Sequence, residues 1–120
     1  MKTPRLLLID DDETYGQLMT MVAASRGVQL DYFPSLAATG SIGAIGQYDA
    51  AILDFFLDSF TGTEIAEYFD AFFAETPVIL VSGSHENPAK APPPKCVRRF
   101  MCKAVGPRRI LDEAMTMIEA

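Results

Sequence analysis

A chain of 120 residues, 49% apolar and 22% charged, can bury one core without disulfides or metal staples and is too apolar to be disordered. Its formal net charge of −6 argues against nucleic acid as the main partner, because phosphate backbones draw basic surfaces. No apolar run approaches the ~20 residues that span a bilayer. The opening MKTPRLLLIDDD runs into aspartates rather than a cleavage site, so it is read as a first strand and not a signal peptide, in a soluble cytoplasmic protein outside any membrane.

Arg5–Ile9 is a continuous apolar run ending in acid, the pattern of a buried parallel strand. Residues 13–26 are expected to form a helix, capped by Asp12, with Tyr15, Leu18, Met21 and Val22 on its apolar face and Gly27 as its stop. Val28–Phe33 is a second strand, closed by Pro34. Segment 35–47 carries Gly40, Gly43 and Gly46, each costing a helix ~1 kcal/mol, yet Leu36, Ile42 and Ile45 give it a partial apolar face. It matches neither the dinucleotide nor the Walker phosphate-loop spacing. Ala50–Asp54 is a third buried strand ending in acid, and FFLDSFTG is a loop.

A helix follows, with Ile65, Phe69, Phe72 and Phe73 on one face. Pro77–Val81 is a fourth buried strand, ending at Ser82-Gly83. Val97–Cys102 is a fifth, ending at Lys103. Pro107 opens the last helix, whose stripe is Ile110, Leu111, Ala114, Met117 and Ile118. Strands alternating with helices predict an α/β domain over residues 1–120, a doubly wound five-stranded parallel sheet covered on both faces. Cys96 and Cys102, if joined by extended chain, lie ~20 Å apart, too far for a disulfide, so two free thiols are expected. Arg98, Arg99, Lys103, Arg108 and Arg109 make the C-terminal third more basic than the rest.

Chemistry gathers at strand ends. Asp10-Asp11 follows the first strand, Asp54 ends the third, Ser82 the fourth, and Lys103 follows the fifth. Ligands bind outside the carboxyl edge of an open parallel sheet, so these residues are expected to share one crevice. Two carboxylates ~5 Å apart repel by ~3 kcal/mol at an effective dielectric of ~20. Lys103 offsets one charge, and Mg2+, which takes a few carboxylates with waters and a phosphate oxygen, offsets more. Asp54 then has the character of a nucleophile toward phosphorus. The only histidine, His85, is read as a surface residue.

Across nearly its whole length the chain resembles the CheY-like receiver domain of two-component response regulators. The resemblance lies in LLLIDDDE, AAILDFFLDSFTG, VILVSG and FMCKA, taken in this order and at these separations. It implies a flavodoxin-like (βα)5 fold. It also implies that Asp11 binds Mg2+ directly and Asp10 more weakly or through water. Asp54 would be the phosphoacceptor and a metal ligand, with the Phe56 carbonyl as a further ligand. Ser82 and Lys103 would bind the phosphoryl oxygens, Ser82 and Phe100 would form the switch pair, and Gly62 would close the loop. The implied partners are a histidine kinase or phosphotransfer protein and a downstream protein, with no direct contact to nucleic acid.

Four departures from the family pattern carry expectations. Ala104 replaces the proline that usually follows the lysine. A cis bond without proline costs ~3–4 kcal/mol, so a trans bond and a shifted loop are predicted. Asp58 stands where a proline is usual. The prolines of SHENPAKAPPPKCVRR, from Pro88 to Pro94, predict a fourth helix that is short or absent. Phe55, Phe56 and Phe60 crowd the loop, where at least one is expected to join the core and an exposed one to shield an acyl phosphate or dock a partner. Three function classes remain: a phosphoryl-accepting signalling domain, enzymatic only toward its own aspartate; a phosphorylation-independent interaction module; and, least favoured, an aspartyl phosphatase, which needs a further acid and a larger cap.

Overall fold

A computed structural model describes residues 3–40, 46–57, 60–72, 76–83 and 95–119. The sheet strands are β1 (Arg5–Ile9), β2 (Gln29–Phe33), β3 (Ala50–Asp54), β4 (Val78–Ser82) and β5 (Val97–Cys102). The helices are α1 (Glu13–Ser25), α2 (Gly62–Phe72) and α3 (Pro107–Glu119). The strands align in the order β2-β1-β3-β4-β5, and every neighbouring pair is parallel.

The apolar runs are buried because both faces of the sheet are covered. Leu7, Ile9, Ala51, Leu53 and Leu80 pack on one side with Ile65 and Ala66 of α2. Leu6, Leu8, Ile52, Ile79 and Val81 pack on the other with Met19 and Ala23 of α1 and Ile110, Leu111 and Ala114 of α3. Alternate residues of one run thus serve two cores, which is the doubly wound arrangement expected. Burying one such Leu or Ile side chain contributes about 1.5–3 kcal/mol. β5 is the outer strand, half-exposed along its length. Its register with β4 slips between Val78 and Ile79.

The expected apolar face of α1 is met at Tyr15 and Val22 and needs correction at Leu18 and Met21. Leu18 is 44% and Met21 69% exposed, whereas Gly16, Met19 and Ala23 are buried. Tyr15 and Val22 pack partly buried against the same core as expected, so the buried face is centred on Gly16, Met19 and Ala23 with those two at its edge, and the small residues let the helix lie close to the sheet. Gly16 sits under the Tyr32 ring, so near that a Cβ there would lie 2.5 Å from ring carbons. FFLDSFTG also differs from a plain loop. Phe56–Leu57 and Phe60–Thr61 form a two-residue antiparallel ladder, which brings the chain back to start α2. In segment 35–47 the described residues include one 3-10 turn, Ala37–Thr39, ended by Gly40 at φ 84°.

Other expectations are met. Asp12 caps α1, its carboxylate accepting from Tyr15 N–H at 3.1 Å. Both cysteines are free thiols. The Lys103–Ala104 peptide is trans, and Lys103–Val105 forms a 3-10 turn whose second amide, Ala104 N–H, donates to Cys102 Sγ at 3.4 Å. The expectations for Ile42, Ile45, Asp58, Phe73, His85 and the proline-rich fourth-helix region lie outside the described residues.

Candidate phosphoacceptor site

Strand register builds the site as a staircase. Ile9 of β1 pairs with Leu53 of β3, so Asp10 and Asp54 leave the sheet side by side. Asp54 pairs with Val81 of β4, which places Ser82 one step beyond it. Ser82 in turn pairs with Cys102 of β5, placing Lys103 one step further. Backbone hydrogen bonds hold the steps in place: Asp10 N–H donates to Phe33 O at 3.2 Å and Phe55 N–H to Val81 O at 2.8 Å. The Tyr32 hydroxyl donates to the Asp10 carbonyl at 2.6 Å.

Charge at this rim is dense and poorly solvated. Asp10 is fully buried, and Asp54 and Ser82 are nearly so. Lys103 Nζ lies 2.6 Å from Asp10 Oδ2 and 3.7 Å from Asp54 Oδ1. Asp10 Oδ1 accepts the Asp12 N–H at 2.9 Å. The face of the Tyr15 ring covers the ammonium, with Nζ 4.7 Å from the ring centroid. Burial pushes the Asp54 carboxyl up to about 6; the Asp10 charge adds to this, and Lys103 and a hydrogen bond from the Phe56 N–H oppose it. Burial also works against the Lys103 ammonium, but its contact with Asp10 and the charges of Asp10, Asp54 and Asp12 prevail and raise its pKa. Burial, then the charges of Asp10, Asp54 and Asp12, holds the Tyr15 phenol protonated well above its usual range.

Asp10, Asp11 and Asp54 offer carboxylate oxygens that all lie within 4.8 Å of one another. Hard oxygen donors at this spacing, three carboxylates against one ammonium, fit a small divalent cation that completes its shell with water. Asp11 is the exposed member, and Asp10 is the one bonded to Lys103. Phe55 is core, packed edge-on against Phe56 with centroids 4.9 Å apart and facing Phe100 at 6.1 Å. Phe56 is 60% exposed beside the site. Phe100 is partly buried against the α2-side core.

Three residues around Asp10 carry no motif that marks them for the site. By its spacing Tyr15 is one of several apolar residues of α1, although it alone among them meets the lysine. Tyr32 has the pattern of any strand residue. Gly16, a helix-interior glycine that costs ~1 kcal/mol relative to alanine, was the available sign that another group approaches there.

Fold and site together define a class: the chain has the receiver-domain fold of response regulators. It aligns with the signal receiver domain of an HD domain-containing protein from Pseudomonas fluorescens Pf-5 at a TM-score of 0.84 and 19% identity, over 98% of this chain and 96% of that one. With the response regulator TrrA of Thermotoga maritima, solved in complex with Mg2+-BeF, the TM-score is 0.82 at 16% identity, over 96% and 99%. With a CheY-like receiver domain protein from Methanospirillum hungatei JF-1 it is 0.80 at 17%, over 98% and 95%. In sequence the chain resembles the cell cycle transcriptional regulator CtrA of Caulobacter vibrioides, 31% identical over 87 residues. That match takes in 72% of this chain and 37% of CtrA, so the chain corresponds to well under half of that relative. No family model matches the chain. Among the described residues no helix is long and apolar enough to cross a membrane.

Proposed function

We propose that this chain is a phosphoryl-accepting receiver domain in which Asp54 is the acceptor. The observation that carries the reading is the meeting of Asp10, Asp11, Asp54 and Lys103 at one rim of the sheet on a receiver fold. Asp54 Oδ attacks phosphorus, the bond to the donor breaks, and an acyl phosphate forms; with a phosphohistidine donor the bond broken is P–N. Asp10, Asp11, Asp54 and the Phe56 carbonyl would hold Mg2+, which supplies positive charge to the phosphoryl oxygens. Lys103 and the Ser82 hydroxyl would bind those oxygens, and Phe100, two residues before β5 ends, would answer the movement of Ser82. The phosphodonor would be a cytoplasmic histidine kinase or phosphotransfer protein.

The test is to give wild type and Asp54→Asn magnesium with acetyl phosphate, or with beryllofluoride. A mass increase of one phosphoryl group on wild type alone is expected, and an unmodified wild type would sink the reading. One observation favours a second reading, a module that binds partners without phosphorylation. Lys103 lies closer to Asp10 than to Asp54, 2.6 against 3.7 Å, so the chain's own ammonium already pairs with the fully buried acid of the rim. That reading requires folded wild type that takes no phosphoryl group.

A further inference from the structure

We propose that Tyr15 is a positioning residue for Lys103, holding the ammonium at the rim through the face of its ring. The inference rests on the reading of Lys103 as a phosphoryl ligand and names what aims it. A cation within ~6 Å of an aromatic centroid is attracted by the ring's electron-rich face, more strongly when water is excluded. Lys103 Nζ lies 4.7 Å from the Tyr15 centroid, and the lysine side chain is 20% exposed. The ammonium is thus bounded by Asp10 at 2.6 Å, by Asp54 at 3.7 Å and by the ring. The carboxylates pull it into the rim, and the ring sets how far it can swing.

Tyr15 is itself well fixed. Its backbone N–H donates to Asp12 Oδ1 at 3.1 Å, and the Asp12 N–H donates to Asp10 Oδ1 at 2.9 Å. The backbone that carries the ring is therefore tied to the same acid that grips the lysine, and the side chain itself packs partly buried against the α1-side core. The phenol oxygen is buried and makes no hydrogen bond among the described residues, so the hydroxyl does not anchor the side chain and the ring carries the role. The lysine itself stands outside the regular strand. It opens a 3-10 turn through a trans peptide to Ala104, and the turn ends at Gly106, φ 96°.

The experiment is a double-mutant cycle on the full chain, with Tyr15→Leu, Tyr15→Phe, Lys103→Met and Tyr15→Leu/Lys103→Met. Half-saturating beryllofluoride with magnesium is measured first. Tyr15→Leu is expected to weaken binding roughly three- to tenfold, Tyr15→Phe to restore most of that loss, and Tyr15→Leu to add nothing once Lys103 is Met. Wild-type affinity in Tyr15→Leu, a loss in Tyr15→Phe as large as in Tyr15→Leu, or a full leucine effect in the Lys103→Met background would overturn it. The same cycle is read in urea denaturation of the metal-free proteins. If wild type binds no beryllofluoride the receiver reading fails, and this second cycle decides the inference: coupling between positions 15 and 103 upholds it, and strict additivity refutes it.

Discussion

Asp54 sits in an environment that disfavours its charge, and this has a definite pH signature. In the metal-free protein its carboxyl is pushed up to about 6 from an ordinary 3.8, by burial first and then by Asp10. The folded state therefore holds a proton that the unfolded chain has released between these values. Its stabilising contribution is complete below 3.8 and is lost as pH rises through about 6. The full difference corresponds to about 3 kcal/mol. Asp54→Asn should therefore stabilise the metal-free protein by about 1–3 kcal/mol at pH 7.5 and hardly at all at pH 4. Urea denaturation at the two pH values checks this, and an equal gain at both would contradict it. Cys96 offers a contrast. Burial, then Asp70, pushes its thiol up to about 12, and its Sγ donates to Ala66 O at 3.3 Å inside the α2-side core. Thiolate is the reactive form, so at pH 8 native protein should take one equivalent of iodoacetamide, at the part-exposed Cys102, and two when unfolded; peptide mass mapping reads the sites.

At the scale of the element, α1 shows how a close approach is built and how it escapes a pattern-based reading. Helix propensity favours Gly16→Ala by ~1 kcal/mol. The new Cβ, however, would lie 2.5 Å from the Tyr32 ring, and moving that ring costs its hydrogen bond to the Asp10 carbonyl. The clash outweighs the propensity, so Gly16→Ala should destabilise by about 1–2 kcal/mol. Thermal denaturation beside Tyr32→Phe, which loses the bond without the clash, separates the two terms. β1, β3 and β4 were legible almost to the residue because each is a short apolar run stopped by a polar group, and a strand buried on both faces allows nothing else. The strand-end acids and Lys103 were legible for the same reason: strand order alone carries them to one edge. The centre of the buried face of α1 was not, because large side chains dominate a periodicity while Gly16 and Ala23 make the contact. Tyr15 over Lys103 was not legible either, since a ring meeting an ammonium 88 positions away leaves no mark on local spacing. The ladder of Phe56–Leu57 with Phe60–Thr61 is too short to produce the alternation by which strands are read.

For the whole molecule, the two apolar layers make a rigid frame whose carboxyl edge holds unbalanced negative charge on a chain already at −6. A ligand that binds only the folded frame stabilises it by mass action, about 2.7 kcal/mol at one hundred times its dissociation constant. For a domain of this size that raises the midpoint of unfolding by about 10 °C. Magnesium should therefore stabilise wild type at pH 7.5 well beyond sodium chloride of matched ionic strength, which only screens surface charge. In Asp54→Asn one of the three carboxylates is gone, and the metal-dependent rise should fall to less than half. At pH 5, below the value of about 6 to which Asp54 is raised, the metal must displace a proton, and the wild-type rise should shrink by a similar amount. Calorimetry of both proteins in both salts at the two pH values reads all of this. If magnesium and matched sodium chloride moved the wild-type midpoint equally, the rim would be a cluster of acids held by Lys103 and nothing more.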